Sequence, residues 1–372
     1  MKFLIITHVN HFNQGNKYFA YAPYVKEMNI WLKYVDEVEI LAPCSLQKVS
    51  NLDLSYEHMN LAFTSIPAIE FTSIKKIITS LLKLPSIMSN MYSACKRSDH
   101  IHLRCPGNIG LLGCFVQVMF PKKIKTAKYA GNWDPRSKQP LSYKVQKYIL
   151  SNTFLTKNMK TLVYGKWENM NRNIKSFFTA SYSRSEIEGP IKRNFLPPYR
   201  FIFIGTLVPG KRPLLSVKII ESLFRNDIEC TLDIFGDGIL NQEIKDYVVS
   251  NDLKSKIQIH GNVSKENLKI ALKNSDFLIL PSRSEGWPKA VAEAMFFGVI
   301  PITTKVSCLG WMLDEERRGI LIKDELILAT NKIKESIYKD NLLSMSIACQ
   351  QWSHEYTLDR FETEIKKLLS KE

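Results

Sequence analysis

The stretch DFLILPSRSEGWPKAVAEAMFFGVIPITT, residues 276–304, decides how the rest of the chain is read. It opens on an apolar run over 277–280, crosses a polar loop at 282–287 and enters a helix whose first position is Pro288. Proline suits that place because the first helical residues have no intrahelical use for an N–H. The helix is expected to stop near Gly298, which takes the left-handed conformation of a helix end at little cost, and 299–303 then reads as a second buried strand. The stretch is therefore one β-α-β unit.

Two carboxylates lie in it, Glu285 in the loop and Glu293 eight positions later inside the helix. Glu293 is flanked by Val291, Ala292, Ala294, Met295, Phe296 and Phe297, and an ionised group in so apolar a helix needs a reason. A helix start at the end of a parallel strand is a ready place for an anion, because free N–H groups and the helix dipole both point at it. The two carboxylates would then hold hydroxyls around a bound phosphate. The plainer alternative pairs Glu293 with Lys289 one turn earlier, worth about 0.2–0.5 kcal/mol, and leaves Glu285 solvated. The spacing by itself leaves both open.

The pattern EGWPKAVAEAMFFGVIPI resembles the Glu-x7-Glu signature of the family 4 (group 1) retaining glycosyltransferases, which have the two-domain fold called GT-B. The likeness includes the strand ending in Pro281-Ser282, the Glu285-Gly286 pair, the Glu293-Ala294-Met295 triplet and the exit through Gly298. It implies an α/β fold of two Rossmann-like parallel-sheet domains facing across a cleft, with a C-terminal helix crossing back to the N-terminal domain.

Length agrees with two domains: 372 residues exceed one ordinary domain. With 45% hydrophobic and 23% charged residues the chain can bury full cores, which excludes a disordered class. The longest apolar run, 109–120, has 12 residues and is too short to span a bilayer. MKFLIITHVN has too short an apolar core for a signal peptide and reads as a first strand, so the expected location is the cytoplasm. The seven cysteines are odd in number and lack a C-x-x-C pair, so they are read as buried thiols rather than as a disulfide framework or zinc site. Charge is one-sided. Residues 1–196 hold 27 Lys+Arg against 12 Asp+Glu, a net of +15, whereas 197–372 hold 24 against 24. A basic half attracts an anionic partner, and with no base-reading motif in the sequence nucleic acid is not expected. An anionic membrane surface is, as peripheral contact at the inner face of the plasma membrane; scattered solvated lysines are the plain alternative.

Through the first half, strands at 2–7, 37–41, 61–66, 100–104 and 124–130 alternate with helices at 25–34, 74–91, 110–118 and 141–156. Residues 8–24 are read as a polar, aromatic loop, in which His8 and His11 lack a third metal ligand. The helix over 74–91 sets Lys75, Lys76 and Lys83 beside Leu81, Leu82 and Leu84, an interfacial composition that also suits a helix covering a sheet. Two strand-end loops, HLRCPGN (102–108) and AGNWDP (130–135), carry Arg104, Asn132 and Asp134, which are the acceptor-side candidates beside a purely structural turn. Many relatives have a histidine after the second of these strands; Gly131, Asn132 and Trp133 stand there instead. Short strands at 160–164 and 177–180 complete this domain, 1–196, and FLPPYR (195–200) is read as the linker, since Pro197-Pro198 is stiff and extended.

The second domain, 197–352, restarts with a strand at 201–204 and the loop GTLVPGKRP (205–213). Gly205, Gly210 and Lys211 fit a P-loop template, but Arg212 stands where a metal-binding Ser or Thr is required, so a P-loop NTPase is the poorer reading. The loop is similar to the family's G-R-L-x-x-x-K-G segment, whose Arg and Lys neutralise the donor diphosphate. Lys211 matches that lysine, Thr206 replaces the arginine, and Arg212 is the candidate for the missing charge. Strands follow at 231–235, 256–260 and 320–322. Gly236-Asp237-Gly238 resembles the turn beside the nucleotide, and Gly261-Asn262-Val263 the turn against which the base packs. The tail, 353–372, is read as the crossing helix.

The resemblance implies transfer of a sugar from a nucleotide-sugar donor to a glycan or lipid-linked acceptor, with the anomeric configuration retained, in bacterial surface polysaccharide assembly. Its catalytic residues would be Lys211, Glu285 and Arg212. The donor would be held by Gly205, Thr206, Gly236, Gly238, Val263, Gly286, Trp287, Pro288, Lys289 and Glu293, with no metal and no cofactor. The rival readings are a nucleotide-sugar epimerase and a catalytically silent sugar-binding protein of the same fold.

Overall fold

The structure, a computed structural model, describes residues 1–45, 47–50, 52–69, 74–189, 191, 193–339 and 341–370, with 74–77 described by backbone alone. The chain forms two compact units, residues 1–178 with 361–372, and residues 179–360.

The first unit is built on a seven-stranded sheet in which every adjacent pair is parallel. Its order is Ile174–Phe177, Met159–Tyr164, Ile124–Tyr129, His100–Cys105, Lys2–Ile6, Glu37–Ala42, Leu61–Ser65. Phe3, Leu4, Ile5 and Ile6 are all fully buried, as expected of a strand covered by helices on both faces. The first strand lies in the middle and the order reverses beside it, so the loops after Lys2–Ile6 and His100–Cys105 open the crevice where such sheets bind ligands.

Residues 8–24 are not one loop. His11–Gln14 and Lys17–Tyr21 pair as an antiparallel hairpin within a separate four-stranded sheet, and the helix Ala22–Leu32 starts directly after it. The signal was Gly15-Asn16, a two-residue hairpin connection with Gly15 at φ 64°. His11 is buried, with its ring nitrogens 2.8 Å from the Val9 carbonyl and 2.8 Å from the Tyr56 hydroxyl. Burial lowers its pKa to about 4 and keeps the ring neutral. Of the covering helix Ile74–Arg97, the Lys75 and Lys76 side chains lie outside the described residues, while Leu81 and Leu82 are exposed beside Lys83. The helix expected over 141–156 ends at Ser151, and the strand expected over 177–180 is Ile174–Phe177.

The second unit holds a six-stranded parallel sheet in the order Ile257–Gly261, Cys230–Phe235, Tyr199–Ile204, Phe277–Leu280, Ile300–Thr304, Ile320–Ile322. Again the first strand is central, and the order reverses between Tyr199–Ile204 and Phe277–Leu280. The helix between the two decisive strands, Lys289–Phe296, has Pro288 as its N-cap residue, and Gly298 follows its end at φ 71°.

The division between units falls after Phe178, not at Pro197-Pro198. The reason is Arg193, which is buried and donates to the Ser275, Phe297 and Leu272 carbonyls at 2.8, 2.7 and 3.0 Å. Those contacts bind the supposed linker into the second unit. The tail likewise is not one helix: Leu342–His354 belongs to the second unit, and Leu358–Leu369 sends residues from Phe361 onward into the first. There Phe361 packs on Phe177 and Phe178 at 5.5 and 5.8 Å, while Glu364 pairs with Lys175 at 2.7 Å. Burying one such ring is worth about 1.5–3 kcal/mol. Six cysteines are buried thiols as expected, but Cys44 is exposed.

Candidate active site

In the second unit the loops leaving four neighbouring strands knit into one platform. Gly205 donates to Phe235 O at 3.0 Å, Leu207 to Asp237 O at 3.0 Å, Gly236 to Gly261 O at 2.8 Å, and Arg283 to Gly210 O at 2.9 Å. The glycines are required by close approach. A Cβ on Gly236, whose φ is 134°, would stand 2.0 Å from Gly205 O, and one on Gly238 would stand 2.5 Å from Leu207 O. Gly236→Ala is therefore expected to part the two loops, destabilising the unit by about 1–3 kcal/mol. A lower Tm checks it; an unchanged Tm would show that the loops can give way.

At the switch point of this sheet, Lys211 and Glu285 come together. The Lys211 ammonium donates to both carboxylate oxygens, at 2.6 and 2.7 Å. Glu285 is only 6% exposed at its side chain and Lys211 is 29% exposed, so the buried carboxylate has its cation while that cation still reaches solvent. Such a pair fixes both side chains, and a second anion arriving at Lys211 would compete with Glu285 for the same N–H groups.

Arg212 caps the helix Pro213–Phe224 from a left-handed conformation, φ 55° and ψ 47°, and turns its guanidinium to Asp324, 3.0 Å from both a side-chain oxygen and the carbonyl. Its charge is engaged away from the Lys211–Glu285 pair. Thr206 and Gly210 are exposed on the loop, and Val263 is exposed beside Gly261.

Trp287 is buried, and its ring joins Trp311, Trp352 and Tyr356 at 6.4, 6.1 and 5.7 Å. This cluster anchors the loop that carries Glu285, Gly286 and Pro288, and it draws on side chains that sequence reasoning left unassigned. Glu293 does not take Lys289 as its ion-pair partner. Its carboxylate accepts the Ser181 hydroxyl, and burial raises its pKa, opposed by Ser181, Lys289 and Lys265. Ser181 had no motif to mark it.

In the first unit the acceptor-side candidates divide. Arg104 lies 3.5 Å from Glu27 and above the Tyr24 ring, while the buried Lys128 holds the same Glu27 at 2.7 Å. Asn132 and Asp134 build a turn: the Asp134 N–H donates to Asn132 Oδ1 at 2.9 Å, the Arg136 N–H to Asp134 Oδ1 at 2.9 Å, and Lys147 to Asp134 O at 3.2 Å. These two residues serve the loop first. A cavity of about 280 Å³ opens at the switch point of this sheet, lined by His8, Pro106, Gly107, Asn108 and Tyr143 among others. Gly107 makes room for His8: a Cβ there would lie 2.6 Å from the imidazole Nδ1. His8 was visible in the sequence only as one of an incomplete metal pair.

Residues 187–353 match the sequence model of the family described as Glycosyl transferases group 1. The chain carries a group 1 glycosyltransferase domain. An uncharacterized glycosyltransferase of Methanocaldococcus jannaschii is 31% identical over 140 residues, 37% of this chain and 37% of that protein. The UDP-Gal:alpha-D-GlcNAc-diphosphoundecaprenol alpha-1,3-galactosyltransferase of Escherichia coli is 29% identical over 136 residues, 36% of this chain and 34% of that protein. The chain thus aligns with little more than a third of these curated relatives. Across its length it superposes on a solved glycosyltransferase from Rickettsia africae ESF-5 with a TM-score of 0.63 and 13% identity, covering 100% of this chain and 99% of the other. Two parallel-sheet α/β units in one chain are the GT-B plan, as the resemblance implied. The domain's matched segment contains Lys211, Glu285 and Glu293 together.

Proposed function

We propose that this protein transfers a sugar, with retention at the anomeric carbon, from a nucleotide-sugar donor to a glycan or lipid-linked acceptor in bacterial surface polysaccharide assembly. The observation that carries the reading is the Lys211–Glu285 pair, set by two family segments at the switch point of the second sheet. The Escherichia coli relative, named for a UDP-sugar donor and a diphosphoundecaprenol acceptor, supports both substrate classes.

The hard step is cleavage of the bond between the sugar C1 and the diphosphate. Lys211 stabilises the charge that grows on the leaving phosphate, aided by the start of the helix Lys289–Phe296, and electrostatic terms of this kind are often the largest in catalysis. Glu285 and the Gly286–Trp287 backbone hold the sugar hydroxyls, Glu293 the ribose, and Gly205, Gly236 and Gly238 allow the backbone to approach the nucleotide. Fixed cationic and N–H groups take the part a divalent cation plays elsewhere, so the proposal needs no metal or cofactor. Arg212, held by Asp324, acts by shaping the loop around Lys211. The acceptor enters the first unit's strand-end cavity at His8 and Asn108, near Arg104. That unit holds 27 Lys+Arg against 13 Asp+Glu, a net of +14, and with Leu81 and Leu82 exposed it favours peripheral contact with an anionic membrane on the cytoplasmic side. Among the described residues no helix is long and apolar enough to cross a membrane.

The test is a panel of sugar nucleotides read by thermal unfolding. A true donor at a hundred times its Kd adds about 2.7 kcal/mol of stability, a rise of several degrees in Tm. Release of nucleoside diphosphate should then require an acceptor. A panel with no shift sinks the reading; donor conversion without acceptor indicates an epimerase, and binding without turnover a silent sugar-binding protein.

A further inference from the structure

Three neighbouring strands of the first unit, Ile124–Tyr129, Met159–Tyr164 and Ile174–Phe177, begin around a cavity of about 1540 Å³, closed on one side by residues near the end of the helix Leu358–Leu369. Parallel sheets place their substrates at the opposite, carboxyl ends of the strands, so the proposed reaction does not account for this concavity. Among the described residues its lining includes Lys125, Lys157, Lys160, Arg172, Lys175 and Lys367 and no carboxylate.

The cations are not equivalent. Lys175 and Lys367 share Glu364, at 2.7 and 2.9 Å. Among the described residues, Lys157, Lys160 and Arg172 have no carboxylate within ion-pair distance. Lys125 is 1% exposed, and its ammonium donates only to the carbonyls of Gln117 and Phe120, at 3.2 and 3.0 Å. An ammonium has three N–H groups, so one remains uncommitted on a residue that lines the cavity. Burial without a carboxylate pushes Lys125 down to about 8, and an anion beside it would oppose that shift. Like charges gathered in a concavity focus their field and raise the local concentration of anions. Arginine adds a planar fork suited to two phosphate oxygens, and the buried Thr156 and Asn173 complete a polar wall.

We propose that this cavity is a second anion site that takes a ligand bearing more than one phosphate, with Lys125 at its floor and Lys157, Lys160 and Arg172 at its mouth. Its volume exceeds what one phosphate fills, since ordinary small-molecule pockets run to about 300–1,000 Å³. A soluble polyphosphate and a phosphorylated lipid headgroup offer the same chemistry. Phe154 is exposed next to Thr153 of the lining, with the Lys157 ammonium 5.1 Å from its ring, an aromatic and basic pairing that suits a headgroup layer. The site is independent of sugar transfer, and its test requires no turnover.

Inorganic tripolyphosphate is titrated calorimetrically into the full chain carrying Lys211→Ala, which silences the diphosphate place of the second unit. Two triple variants are compared in that background: Lys157→Gln, Lys160→Gln and Arg172→Gln in the cavity, and Lys17→Gln, Lys48→Gln and Lys138→Gln on exposed surface of the same unit. Partition onto vesicles containing cardiolipin, whose headgroup carries two phosphates, against phosphatidylcholine alone, is measured in parallel, and the Tm of each variant shows that it is folded. The cavity triple should weaken binding at least tenfold on the order expected for lost charge-assisted phosphate contacts, and the surface triple less than twofold. Loss for tripolyphosphate alone identifies a soluble ligand; loss for cardiolipin vesicles identifies a headgroup. If neither probe binds, or neither separates the two triples, the cations are a solvated surface and the proposal is wrong.

Discussion

Lys211→Ala is expected to lower sugar transfer by about 10²–10³-fold in kcat, the loss typical when one group stabilising a developing oxyanion is removed. The structure makes this variant ambiguous unless stability is measured too. Glu285 is 6% exposed at its side chain and has Lys211 as its bidentate partner at 2.6 and 2.7 Å, so the alanine leaves a buried carboxylate without that cation. Breaking a fully buried pair costs about 3–5 kcal/mol; Lys211 is 29% exposed, and solvent screening places this pair below that range. The double variant Lys211→Ala with Glu285→Gln separates the two effects. A neutral amide needs no cation, so the double variant should regain much of the lost Tm while turnover stays at or below the single variant's level, since the amide is also a weaker acceptor for the sugar hydroxyls. Recovery of turnover with stability would show that Lys211 serves only the fold, and near-normal turnover in the single variant would remove it from the chemistry.

The second unit was largely legible because its signals are local. Pro288 and Gly298 bracket one helix, the runs 277–280 and 300–302 are apolar on both faces, and the glycines at 236 and 238 stand where two backbones meet. What escaped depends on contacts distant in sequence. Arg193 draws a proline-containing segment into the second unit through carbonyls about a hundred positions away or fewer, and no local pattern announces an arginine that binds carbonyls rather than solvent. Ser181 and Asp324 were missed for the same reason: each is an ordinary polar residue until the fold sets it against Glu293 or Arg212. In the first unit even the topology left room for error. IKTAKY over Ile124–Tyr129 reads as half polar, yet the strand is buried from Lys125 onward, with Lys125 on carbonyls and Lys128 on Glu27. Buried lysines of this kind obscure which face is dry, and so hide the charged pocket below and the His8 cavity above.

Glu293→Gln is expected to move stability and donor affinity in opposite directions. The carboxyl accepts the Ser181 hydroxyl, but burial dominates and raises its pKa above the ordinary value of 4.5. A carboxyl with a raised folded-state pKa takes up a proton on folding. Its ionised form therefore costs stability at pH values above the folded pKa, and that cost disappears as pH falls through the folded value toward the unfolded one. Glutamine keeps an oxygen for Ser181 and has no charge to desolvate. The ligand-free variant should consequently have a higher Tm than the native protein at pH 7–8, and the difference should close as the pH is lowered toward 4.5. The opposite holds once donor binds. A carboxylate accepting ribose hydroxyls makes charge-assisted hydrogen bonds worth about 1.5–3 kcal/mol, so donor should bind on the order of ten- to a hundredfold more weakly to the variant. Calorimetric titration with the donor found in the sugar-nucleotide panel, beside thermal melts across that pH range, measures both. A variant that gains stability and binds donor with unchanged affinity would leave Glu293 as a half-buried helix residue with no part in holding the nucleotide.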